Sequence, residues 1–141
     1  MLVYSDMLPL NTPAPSFTLP DQTDPGRTIV YETYCSDIAT VVMFLCNHCP
    51  YVQLLQTHLV DFVRRYQQLG VVFIAINAND VAQYPEDGPV EMTRLTQHLG
   101  FTFPYCFDAT QTVAKAFSAA CTPDFYVFDG QHKLAYRGRY D

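Results

Sequence analysis

Cationic residues are scarce in this chain: eight Lys and Arg stand against fourteen Asp and Glu, a formal charge of -6. The eight are scattered, so there is no basic stripe to hold a phosphate backbone or an anionic bilayer, and nucleic acid and membrane are not expected partners. Also lacking is a basic head followed by a sustained apolar run. Met1 to Leu10 carries Asp6 and Pro9 instead, so no signal peptide is expected and the cytoplasm is the expected compartment. The longest apolar runs are strand-sized, far below a membrane span, and no internal repeat or low-complexity tract occurs. Charged residues make up only 16% against 49% apolar ones, the balance of a packed globular chain rather than a disordered one. Its 141 residues suffice for one domain, 1–141, with its own core. Five cysteines, an odd number in a chain of that size, argue against a secreted disulfide framework and in favour of reactive or metal-binding cysteines among them.

What the chain does contain is organised around Thr40 to Tyr51, T-V-V-M-F-L-C-N-H-C-P-Y. Val41 to Cys46 is apolar without alternation, the pattern of a strand buried on both faces. After Cys49 the period changes: Val52, Leu55, Leu59, Phe62, Tyr66 and Leu69 recur at three- and four-residue steps, predicting an amphipathic helix that Pro50 opens and Gly70 ends. Cys46-Asn47-His48-Cys49 therefore falls at the carboxyl end of a buried strand and the amino end of a helix. Open α/β sheets place their chemistry there, and helix N–H groups stabilise a thiolate there.

The remaining elements follow from local signals. Ser16 to Leu19 and Thr28 to Tyr31 flank Asp24-Pro25-Gly26, predicting a hairpin on the edge of the domain. Val71 to Ile76 is a second apolar strand, completing a right-handed β-α-β unit. Asn77 to Gly88 is a loop at the cysteine end of the sheet, with Tyr84-Pro85-Glu86-Asp87 read as plain loop or groove wall. A helix over Pro89 to Leu99 and a short aromatic stretch, Phe101 to Phe107, come next. Asp108 and Gln111 read as a capping box for a helix through Phe117 that buries Val113, Ala114 and Phe117. Phe125 to Phe128 and Lys133 to Arg137 flank Asp129-Gly130 as a closing hairpin.

A β-α-β unit with C-x-x-C at its strand-to-helix junction, then a helix and a hairpin, resembles the thioredoxin superfamily. The opening A-P-S-F-T-L-P (Ala14 to Pro20) and the run F-L-C-N-H-C-P-Y further resemble the AhpC/TSA, peroxiredoxin-like redoxins. The resemblance covers nearly the whole chain. It implies an α/β thioredoxin-like fold, a central mixed sheet flanked by helices with an N-terminal β-hairpin extension. It also implies a cis Thr122–Pro123 bond facing the cysteines, with the backbone of Thr122 pairing with substrate. Three departures stand out: Leu45 occupies the place of the thioredoxin Trp, Thr40 that of the buried proton-accepting Asp, and the peroxiredoxin Arg falls near Pro123. Thioredoxin-like domains close with a helix after the last hairpin, whereas this sequence reaches only Asp141. Apolar surface is then expected to be capped by a second copy or by more of a longer chain.

Three functions remain open. In the first, Cys46 and Cys49 are the catalytic pair of a thiol-disulfide oxidoreductase. Cys46, nearest the surface, attacks a disulfide and Cys49 resolves the mixed disulfide. Thr122 and Pro123 then line the substrate groove, and His48 tunes the thiolate. In the second, a thiol peroxidase, Cys49-Pro50 takes the peroxidatic place and Cys46 resolves. The third is a metal-binding or redox-sensing module. Closed zinc sites want four ligands, and only isolated Cys35, Cys106, Cys121 and His residues could complete one, so no metal and no other cofactor is expected. Expected partners are a protein or small-molecule disulfide and a reductant that recycles the pair. Cys35, Cys106 and Cys121 are read as structural.

Overall fold

A computed structural model describes residues 8–47, 50–119 and 122–138, with the backbone alone for 50–56. His48, Cys49 and Cys121 lie outside the described residues. The chain forms β1 (Thr18–Asp21), β2 (Arg27–Val30), α1 (Tyr31–Tyr34), β3 (Ala39–Phe44), α2 (Pro50–Gln67), β4 (Val71–Asn77), a 3-10 turn (Pro85–Asp87), α3 (Pro89–Leu99), β5 (Tyr105–Phe107), α4 (Thr112–Ala116), β6 (Asp124–Asp129) and β7 (Leu134–Gly138). One seven-stranded sheet runs β2-β1-β5-β4-β3-β6-β7. β3 pairs parallel with β4 and antiparallel with β6, β4 pairs parallel with β5, and hairpins β1–β2 and β6–β7 close the two ends.

The missing alternation in Val41 to Cys46 is explained by two cores. Val42 and Phe44 point into one, with Phe117, Tyr126 and Phe128. Val41, Met43 and Leu45 point into the other, with Leu59, Val63, Phe73 and Met92. A strand buried on both faces has no polar side to show. At about 1.5–3 kcal/mol per large apolar side chain removed from water, β3 and its neighbours carry much of the stability. This mixed sheet, flanked by helices and extended by the β1–β2 hairpin, is the thioredoxin-like α/β fold expected from the resemblance.

Several local readings need correction. α2 starts at Pro50 as expected, but its buried stripe in the described part is Leu59, Val60 and Val63, while Tyr66 and Leu69 are exposed. The helix is turned so that His58, Leu59, Phe62 and Tyr66 wall an open groove of about 530 Å³, floored by Val41, Met43 and Val127 among other sheet residues. Asp108 and Gln111 form no capping box. Gln111 sits in the left-handed region at φ 60° with no side-chain cap bond, and α4 begins only at Thr112. The Asp108 carboxylate reaches further in, accepting from the Ala114 N–H at 2.9 Å. Val113, Ala114 and Phe117 are nonetheless the buried face of α4. The first hairpin lies two residues later in β1 and one earlier in β2 than the composition indicated, because Tyr31 starts a helical turn instead of ending a strand. α3 matches its expected bounds and closes on Gly100 at φ 68°, a left-handed cap that glycine adopts without strain.

Candidate active site

β3 ends in the sheet centre, and the chain continues to Leu45, whose N–H still bonds to Ile76 O at 2.9 Å. Cys46 follows at the top of the strand. The sequence placed it nearest the surface, but it is only 1% exposed. The reason is tertiary. Two segments distant in sequence, the 122–123 turn and the Pro85–Asp87 turn, meet Cys46 and Asn47 at the strand end. Cys46 Sγ lies 3.2 Å from Thr122 Oγ1, and the Thr122–Pro123 peptide is cis. Thr122, expected from the resemblance to be part of the site, is thus brought to Cys46 from 76 residues away.

On the other side stands a polar lattice that no sequence motif marks. Asp87, the last residue of the 3-10 turn, is fully buried. Its Oδ1 accepts from the backbone N–H of Asn47 and from Asn77 Nδ2 at 3.0 Å, and its Oδ2 accepts from Asn79 Nδ2 at 3.1 Å. Tyr105, also buried, donates its O–H to Asn47 Oδ1 at 2.9 Å and accepts from Asn77 Nδ2 at 3.3 Å. Asn47 Nδ2 donates to Glu86 O at 2.8 Å. Tyr84 to Asp87 is therefore no plain loop, since its acidic end is built into the strand terminus. Burial pushes the Tyr105 phenol well above its ordinary value, and the negative charges of Asp87 and of an ionised Cys46 push it further. Tyr105 stays an O–H donor across the working pH range.

The other cysteines fall away from this point. Cys106 sits in β5 with no exposure, and burial raises its thiol strongly, so it is inert packing. Cys35 is half-buried, 3.8 Å from His132 Nε2, and burial raises its thiol too. Thr40, in the place of the thioredoxin Asp, accepts the Ser36 N–H at 2.9 Å and is fully buried. Among the described residues no group of three or more His, Cys, Asp or Glu side chains gathers as metal ligands. No helix among them is long and apolar enough to cross a membrane.

Comparison with known proteins agrees with this fold. An uncharacterized conserved protein from Geobacillus kaustophilus superposes with a TM-score of 0.94 at 50% identity, over 99% of this chain and 73% of its own. A hypothetical protein from Sinorhizobium meliloti 1021 gives 0.91 at 37% identity, over 97% and 74%. A thiol:disulfide interchange protein of the thioredoxin family from Chlorobium tepidum TLS gives 0.75 at 19% identity, over 90% and 84%, a likeness of fold alone. No curated protein matches the sequence significantly. The AhpC/TSA family model matches residues 10–137, nearly the whole described chain, and the protein belongs to the AhpC/TSA family of thioredoxin-like redoxins.

Proposed function

We propose that this redoxin is a thiol-disulfide oxidoreductase in which Cys46 and Cys49 are the redox pair. The observation that carries the reading is the 3.2 Å approach of Cys46 Sγ to Thr122 Oγ1 beside the cis Thr122–Pro123 bond, at the end of the central strand. The Thr122 hydroxyl donates to the Cys46 thiolate, and the amino end of α2 adds N–H groups that favour negative charge. The Cys46 thiolate attacks one sulfur of a substrate disulfide, giving a mixed disulfide and expelling the other sulfur as thiolate. Cys49 then attacks Cys46, closing the Cys46–Cys49 bond and releasing the second substrate thiolate. Two electrons pass from the pair to the substrate, and an external dithiol restores the pair. Thr122 and Pro123 line the approach, and His48, when protonated, steadies the thiolate. Because Cys46 is buried, the substrate parts the Cys46–Thr122 contact on entry.

That burial also favours a second reading, in which Cys49 attacks peroxide and Cys46 waits as the resolving thiol. One experiment separates the two: reduced protein is alkylated at mildly acidic pH and the label located by mass spectrometry. Label on Cys46, a mixed disulfide trapped by Cys49→Ser and inactivity of Cys46→Ser are expected. Label on Cys49, together with its conversion to sulfenic acid by stoichiometric peroxide in Cys46→Ser, would establish the peroxidase instead.

A further inference from the structure

Burying a carboxylate against the peptide that follows a thiol meant to ionise works against the thiolate, so the position of Asp87 calls for a reason. A carboxylate is the acceptor that three converging N–H donors require, and Asn47 N–H, Asn77 Nδ2 and Asn79 Nδ2 all point at it. The first of these is the peptide N–H directly after Cys46, so the carboxylate is tied to the backbone that carries the thiol. Asn77 and Asn79 are held in turn, since Asn77 Oδ1 accepts the Asn79 N–H at 3.0 Å. Among the described residues, the other ionisable groups facing this point are Tyr105 from β5, Glu86 from the same turn, and Glu91, Arg94 and His98 across a groove of about 310 Å³ against α3. Lys115 lies beyond a second hollow lined by Asn79 and Thr122. Of the carboxylates among these, Asp87 is the fully buried one, where water screens it least.

We propose that Asp87 is a positioning residue for Cys46: its carboxylate pins the peptide N–H directly after that thiol, disfavours ionisation of Cys46 in the reduced protein and makes the protein a reductant. This rests on the oxidoreductase reading above. When the pair gives two electrons to a substrate disulfide, the thiol protons go to solvent and the disulfide formed carries no charge. A neighbouring anion therefore raises the free energy of the ionised dithiol and leaves the disulfide untouched. The equilibrium moves towards oxidised pair and reduced substrate.

The test compares the pH profile of Cys46 alkylation in Cys49→Ser with that in Cys49→Ser carrying Asp87→Asn, whose amide oxygen still accepts the Asn47 N–H. Asp87→Asn is expected to lower the midpoint by about one pH unit, a roughly tenfold faster reaction at mildly acidic pH. In the intact pair it is expected to shift the dithiol-disulfide constant about tenfold towards dithiol, roughly 30 mV. Asp87→Glu, which keeps the charge, should stay near the parent profile. Superposable profiles for Asp87→Asn and its parent, or an equal shift in Asp87→Glu, would overturn the proposal. Should Asp87→Asn fail to fold, amide exchange in the unaltered protein decides. Asn47 N–H is expected to be protected like the β3 amides, and exchange at the rate of an open loop refutes the pinning. If the unaltered protein forms no Cys46–Cys49 bond, the oxidoreductase reading falls by itself, and the alkylation profiles still judge Asp87.

Discussion

Asp124 follows Pro123 directly and shares its buried site with Arg137, whose Nη2 lies 3.5 Å from Oδ2, the two side chains being 10% and 8% exposed. The Tyr126 O–H donates to the same oxygen at 3.0 Å, and Arg137 also donates to Ser118 O at 2.9 Å. Burial raises the Asp124 carboxyl, and the Tyr126 hydroxyl and Arg137 offset this only in part. A carboxyl whose native value is raised is more readily protonated in the fold than in the unfolded chain. Its contribution to stability is therefore fully present below its ordinary 3.8 and is lost as pH rises through the native value. The thermal stability of the protein minus that of Asp124→Asn is expected to fall as pH rises from 3.8 through the raised native value, as melts at a series of pH values would show. A difference that grows with pH would mean that the Arg137 pairing outweighs burial. Nothing in the sequence marks Asp124, because Arg137 reaches it only across the β6–β7 hairpin, and Ser118 meets Arg137 only in the folded chain.

The β1–β2 hairpin is joined to the rest of the sheet through a single paired position, Asp21 opposite Cys106. What strengthens that seam is one side chain. The buried Asp21 carboxylate accepts the Tyr105 N–H at 3.1 Å, the Thr23 N–H at 2.9 Å and the Thr23 hydroxyl at 2.8 Å, and it pairs with Arg27 at 3.1 Å. Asp21→Ala would leave the Tyr105 N–H buried without its acceptor, a cost of about 2 kcal/mol. A melting temperature lower by roughly 4–8 °C is expected for a domain of this size. Amide exchange should quicken in β1 and β2 while β3 and β4 keep their protection; uniform loss along the chain would mean the hairpin is no separate unit. Turn residues made this hairpin visible beforehand. Its attachment was not, since a lone Asp at a strand end reads as solvated until Tyr105 is folded against it.

Across the whole molecule the sheet order sets a gradient of protection. β3 and β4 are bonded on both edges and buried in both cores, whereas β2 and β7 are edge strands. Slowest amide exchange is therefore expected in β3, then in β4 and β6, and fastest in β2 and β7; an edge strand outlasting β3 would contradict this order. Much of the architecture could be read before folding, because each signal involved is local. Unbroken apolar runs gave β3 and β4, three- and four-residue spacing gave α2, the Pro89 to Leu99 stretch ahead of Gly100 gave α3, and Asp129-Gly130 gave the final hairpin. The Cys46 position at a strand end was of the same kind. The cis bond at Thr122–Pro123 came from family likeness, since an X-Pro pair alone favours trans. What only the tertiary structure decided is everything that depends on segments distant in sequence meeting: the burial of Cys46 under Thr122, the groove left beside α2 by its rotation, and the capture of Asp87 by Asn47, Asn77 and Asn79. Composition and periodicity report how a residue meets its near neighbours or water. They carry no record of which buried polar groups will satisfy one another, and in this protein those pairings surround the thiol.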